Sequence, residues 1–137
     1  MRILGYQASR FAWTPFSKTL EDEELPAEHG EVHNAVVLFM HIEITDVDEG
    51  FGRSFKKTLK HIKWMANKRD LKNIVLHSFA HLGGQSCRPE QAKQFLDALD
   101  ERLANTGYQV YQTPFGWFSS WELSVFGESM AKVYKDF

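Results

Sequence analysis

Ala35-Val36-Val37-Leu38-Phe39-Met40-His41-Ile42-Glu43-Ile44 is the stretch that decides how this chain folds. Val36, Leu38, Met40, Ile42 and Ile44 alternate onto one face, and Ala35, Val37, Phe39, His41 and Glu43 onto the other. A period of two, with one face wholly apolar and the other turning polar toward its end, predicts a well-buried strand. Beyond it the period lengthens. Phe51, Phe55, Leu59, Ile62, Met65 and Ala66 recur at helical spacing, and Asp46 followed by Glu49 resembles a capping box ahead of them. Residues 73–79, with Ile74-Val75-Leu76 inside, read as a second buried strand. Pro89 suits the first turn of a second helix, whose buried stripe is Ala92, Phe95, Leu96, Leu99 and Leu103 and which Gly107 stops.

Outward from this centre the signals shorten. Ile3-Leu4-Gly5-Tyr6 predicts an opening strand, and residues 10–16 a second with Pro15 near its end or on an edge. Residues 17–33 hold Glu21, Asp22, Glu23, Glu24, Glu28 and Glu31 besides Pro26 and Gly30, which reads as a surface loop, either a solvated linker or a flap over a cleft. Residues 108–113 and 118–126 read as strands, and Met130, Val133, Tyr134 and Phe137 as a short closing helix. The order β-β-β-α-β-α-β-β-α predicts an α/β fold: a single two-layer domain over 1–137, a mixed sheet with helices packed on it.

Composition narrows the class. With 43% hydrophobic and 25% charged residues in 137, the chain is ordinary globular protein able to bury a real core. A formal charge of −2 offers nucleic acid no global attraction. Cys87, the single cysteine, excludes an internal disulfide and fits a reducing compartment. The opening residues lack the apolar run of a signal peptide, and 35–40, the longest aliphatic run, falls far short of the ~18 residues of a membrane span. A soluble, cytoplasmic protein without a membrane partner is expected.

Two blocks carry the chemistry: Phe79-Ala80-His81-Leu82-Gly83-Gly84 and Thr113-Pro114-Phe115-Gly116-Trp117-Phe118. Each sits where a strand gives way to a turn, so they are expected to line one cleft from two sides. Gly83 and Gly84 free the backbone to approach a ligand, and Ser86 adds a hydroxyl. His81 is either a satisfied structural histidine or a group that orients water and shuttles a proton. Trp117 and Phe118 are either core or a platform for a base or ribose. Cys87 beside His81 is either a nucleophile–base pair or a small buried hydrophobe, the latter being the commoner case. The six histidines show no metal-ligand spacing, so neither a metal nor another cofactor is called for. Arg53, Lys56, Lys57, Lys60, Lys63, Lys68, Arg69 and Lys72 make a basic run in which Asp70 is the lone acid. Arg53, Lys56, Lys60 and Lys63 share one helical side, which is either a solvated face or a patch that meets phosphates.

These blocks resemble the N-terminal editing domain of archaeal-type threonyl-tRNA synthetases, a fold similar to the D-aminoacyl-tRNA deacylases. The resemblance runs through Met1-Arg2-Ile3-Leu4, the 36–42 strand, Phe79-Ala80-His81-Leu82, the Pro89 helix and Pro114-Phe115-Gly116 with its two following aromatics. It covers nearly the whole chain and looks like a free-standing version. It implies a trans-editing aminoacyl-tRNA hydrolase, removing serine from tRNA for threonine, with aminoacylated tRNA, a threonyl-tRNA synthetase in trans and a second copy in a homodimer as partners. A synthetic site that fits threonine excludes serine by only the ~1–3 kcal/mol of one methyl, so a second sieve is needed. Carried over, His81 places water or ribose, Ala80 and Gly83 offer backbone groups, and Phe115, Trp117 and Phe118 line the pocket. Arg53, Lys56, Lys60 and Lys63 steer tRNA. The chain departs from the family pattern at Ser119, where a lysine is usual, at Lys132, where a glutamate is usual, at Gln7-Ala8-Ser9 in place of His-Ser-Asp, and at Ser78 in place of a proline. Ser119 and Lys132 are then expected near the ester carbonyl. With a cation displaced from its usual place, the alternative is a catalytically inactive module that binds tRNA or an amino acid.

Overall fold

A computed structural model of the chain describes residues 1–20, 27–48 and 51–137. Its elements are β1 (Arg2–Lys18), β2 (Gly30–His41), α1 (Ile44–Val47), α2 (Gly52–Lys68), β3 (Asn73–Ser78), α3 (Pro89–Ala104), β4 (Gln109–Gln112), β5 (Trp117–Val125) and β6 (Lys132–Asp136), with a 3₁₀ turn at Ser129–Ala131 before the last. They form one six-stranded sheet in the order β4-β3-β2-β1-β5, with β6 also on β1. β2, β3 and β4 run parallel, and β1 pairs antiparallel with β2, β5 and β6. This is the mixed-sheet α/β domain expected.

Each face of β2 meets a different core. Val36, Leu38, Met40 and Ile42 pack with the stripe of α2 (Phe55, Leu59, Ile62, Met65) and that of α3 (Phe95, Leu96, Leu99, Leu103). Those helices are the crossovers between parallel strands, and a crossover must return over the sheet, which is why both lie on one face. Ala35, Val37 and Phe39 point the other way, into a cluster with Phe11, Trp13 and Val75. Among the described residues no helix covers that side. Instead the sheet curls, bringing the Trp121 ring of β5 within 4.9 Å of the Phe39 ring although β1 lies between their strands.

Four expectations change. The two opening strands are one: Gln7-Ala8-Ser9 does not break β1, because Gln7 is buried and donates from Nε2 to the Met65 carbonyl at 2.7 Å. The 17–33 loop is shorter than expected, since β1 runs to Lys18 and β2 begins at Gly30; the flap reading of that loop falls largely on 21–26, outside the described residues. The closing segment is a strand, not a helix. β5 leaves β1 at Ala8, and β6 takes up the pairing from Tyr6 to Arg2, where backbone groups would otherwise be orphaned. Ile44 also leaves the apolar face of the strand; β2 ends at His41, and Ile44 opens the short α1 half-exposed. There the Glu43 amide donates to the Asp46 carboxylate at 2.8 Å. The Asp46–Glu49 capping box falls outside the described residues.

Candidate active site

The parallel strands β2, β3 and β4 end side by side, and a cleft of about 490 Å³ opens beyond their carboxyl ends. Open sheets bind ligands there because the strands stop while the crossover helices begin, leaving loops and free backbone groups around a hollow. One wall is Ser78–His81, following β3. The facing wall is Thr113–Ser119, following β4 and opening β5. Pro89 and Ala92, at the start of α3, close one end. Of the two blocks singled out in the sequence, Phe79–His81 and Thr113–Phe118 do line one cleft.

Loop 79–88 is held by bonds to the segment after β2. Phe79 N–H donates to the Met40 carbonyl at 2.9 Å, Ile44 N–H to the Gln85 carbonyl at 3.0 Å, and Cys87 N–H to the Ile42 carbonyl at 3.2 Å. His41 fastens the same loop from beneath. Leu82 N–H donates to His41 Nδ1 at 3.2 Å, so Nε2 carries the proton and donates to Ser86 Oγ at 2.9 Å. Burial pushes the His41 imidazolium down, with Glu43 opposing and Arg2 adding to the effect. With Nδ1 already accepting, this ring has no lone pair for the Ser86 proton. It positions the loop.

Between Phe79 and Leu82, whose amides are thus engaged, the amides of Ala80 and His81 have no partner among the described residues. Both residues are exposed at the rim. The His81 ring stands edge-on to Phe79, centroids 5.2 Å apart, so one side is braced and the other faces solvent. Opposite, Trp117 and Phe115 are half-buried and Phe118 is 55% exposed at the mouth. Ser119 Oγ is buried without a partner among the described residues, a polar atom that ordinarily finds one.

Gly83 and Lys132 sit elsewhere. Gly83 adopts φ +92 beside Arg2, whose Nη1 donates to the Leu82 carbonyl at 2.9 Å; the glycine shapes the turn and does not line the cleft. Lys132 begins β6 opposite Tyr6 and donates from Nζ to the Phe126 carbonyl at 3.2 Å. It is absent from the cleft because the segment expected as a helix is a strand at the sheet's other region. Arg53, Lys56 and Lys60 are exposed on α2, and Lys63 is half-buried. Cys87 lines the cleft, but burial pushes its thiol up, which keeps it protonated and disfavours thiolate attack.

The structure adds residues that motif reading missed. His77 lines the cleft almost fully buried, its Nδ1 2.7 Å from Thr113 Oγ1, tying the exit of β3 to that of β4. Burial lowers its pKa to about 4, so the ring is neutral near pH 7. Trp121 packs edge-on against it at 5.2 Å. Alternation from Trp117 through Ser119 to Trp121 was the available signal for that third residue. Thr19 and Leu20 also border the cleft, tied by Thr19 N–H to the Gly116 carbonyl at 2.7 Å.

Chemically, the cleft offers amides and a hydroxyl without partners among the described residues, an exposed imidazole and an aromatic wall. Among the described residues no group of three His, Cys, Asp or Glu side chains converges as for a metal ion. Comparison with known proteins places the fold and the family. A solved structure titled c-Myc DNA Unwinding Element Binding Protein shares the fold, with TM-score 0.64 and 14% identity over 100% of this chain and 99% of that one. The chain is 31% identical to the threonine–tRNA ligase of Pyrobaculum islandicum, covering 100% of this chain and 22% of the relative. It is 32% identical to that of Staphylothermus marinus over 98% of this chain and 22% of the relative, so it spans about a fifth of these ligases. The archaea-specific editing domain of threonyl-tRNA synthetase matches residues 1–137 from end to end, and the chain belongs to that family.

Proposed function

We propose that the chain hydrolyses mischarged aminoacyl-tRNA in trans, with serine on tRNA for threonine as first substrate. The observation that carries this is the single cleft bordered by His81, two unpaired amides and the aromatic wall. In the proposed step a water oxygen bonds to the ester carbonyl carbon, and the bond from that carbon to the ribose oxygen breaks. One water proton goes to the departing ribose oxygen and the other is lost as the acid ionises. Ala80 and His81 amides stabilise the intermediate oxyanion, and the His81 ring orients water or the ribose hydroxyl. Trp117 and Phe118 hold the terminal adenosine, and Ser119 Oγ donates to or accepts from the aminoacyl group. Cations on α2 guide the tRNA. A threonyl-tRNA synthetase supplies the mischarged substrate, and the chain pairs as a homodimer.

The test is a deacylation time course on seryl-, threonyl- and D-aminoacyl-tRNA. Serine should leave fastest, and His81→Ala should slow turnover by about 10²–10⁴ while the fold persists by circular dichroism. Unchanged turnover in that variant removes His81 from the reaction. Ser119 in the usual place of a lysine favours one second reading, the inactive binding module: tRNA binding with no release of any amino acid would establish it.

A further inference from the structure

A second groove, of about 680 Å³, lies between α2 and β6 and shares no residue with the cleft. Lys57 and Lys60 of α2 border it on one side and Lys135 of β6 on the other. None of the three forms a salt bridge among the described residues. The one acid in the lining, Asp136, lies 3.9 Å from Arg2 Nε and is offset by it. The groove is therefore locally cationic in a chain of net charge −2.

Its aromatic surface is the second observation. Trp64 is 39% exposed and Tyr134 51% exposed, both in the lining. The inner side of Trp64 stacks on the His61 ring, centroids 5.8 Å apart and 25° between planes, so the indole is backed and offers its outer face. His61 also meets Phe137 edge-on at 6.0 Å. Lys57 and Lys135 hold their ammonium groups 6.0 and 5.7 Å from the Phe137 ring, which keeps both charges over the groove. His61 is buried, and its Nε2 has no hydrogen-bond partner among the described residues.

We infer that this groove binds an unpaired strand of nucleic acid, with a base stacked on Trp64 and phosphates on Lys57, Lys60 and Lys135. Alternating cations and open aromatic faces match that ligand on both counts. An acidic peptide would use the charges and leave the rings idle; a duplex keeps its bases away from them. The inference goes beyond ester hydrolysis: it shares only Lys60 with the cations proposed to guide tRNA, uses no cleft residue and needs no aminoacyl group.

The test uses the full chain and a fluorescent, non-aminoacylated RNA of about eight nucleotides, within the usual span of single-strand sites. Saturable binding is expected, weakening as salt rises. Trp64→Ala should lose about tenfold in affinity, whereas Trp64→Phe should keep most of it. Lys60→Gln with Lys135→Gln should lower the slope of log affinity against log salt by about 0.7 per lysine. If Trp64→Ala fails to fold, Trp64→Phe and the salt slope decide. Lack of saturable binding, an unaltered salt slope in the lysine variant, or equal binding of heparin and duplex RNA overturns the inference. Because no turnover is read, the result is separate from the fate of the hydrolase reading.

Discussion

Burial holds the His77 imidazole at a pKa of about 4, against 6.5 for an exposed ring. The unfolded chain therefore takes up a proton there before the folded one does. Stability is full above the unfolded value, declines as pH falls through the window, and is lost below the folded value. With one pKa unit equivalent to about 1.4 kcal/mol, the gap amounts to about 3 kcal/mol for this nearly inaccessible side chain. Urea unfolding at pH 7.5, 5.5 and 4.5 should show that loss, and His77→Gln should flatten most of it. His41 and His61, also lowered by burial, leave a residual slope. A level profile in the unaltered chain would mean His77 is not held neutral in the folded state. None of this was visible along the chain. His77 was one of six scattered histidines, and only the pairing of β3 with β4 brings Thr113 to it. His81, by contrast, was legible, because a titratable ring beside Gly-Gly is a local pattern.

At the scale of elements, the β1–β2 pair depends on a missing side chain. Gly30 lies opposite Trp13, and a methyl group there would run into the indole ring. The ring is held on the other side by Phe11, 5.8 Å away, and by its Nε1 donating to the Glu28 carbonyl at 3.2 Å. Gly30→Ala should cost about 1–3 kcal/mol by overpacking, read as a lower urea midpoint with an unchanged slope. An unchanged midpoint would show that the indole swings aside freely. Both long helices were readable because their stripes repeat every three or four residues and the buried side chains obey that count. The closing strand was misread for the same reason. Val133 and Phe137 do pack on the core, but the spacing that suggested a helix says nothing of β1's open edge. Local pattern fails where a distant partner sets the conformation.

Across the whole molecule, charge is distributed rather than accumulated. The net value is −2, yet Arg53, Lys56 and Lys60 stand exposed together on α2. If they guide tRNA toward the cleft, the KM for aminoacylated tRNA should rise several-fold between about 50 and 200 mM salt while kcat holds steady. A salt-independent KM would leave α2 a solvated face. Architecture and cleft walls were legible because each arises from a strand-to-turn boundary. The Ser119 hydroxyl's isolation and the placing of Lys132 were not, since the first depends on how β5 packs opposite Pro15 and the second on which strand β6 joins. That junction has a temporal consequence. The partners on that side of β1, 117–125 and 132–136, lie roughly a hundred residues or more along the chain from it. Closing that side of β1 therefore carries the loop entropy of a long excursion, and its pairing is a late step of folding, after the local β1–β2 pair.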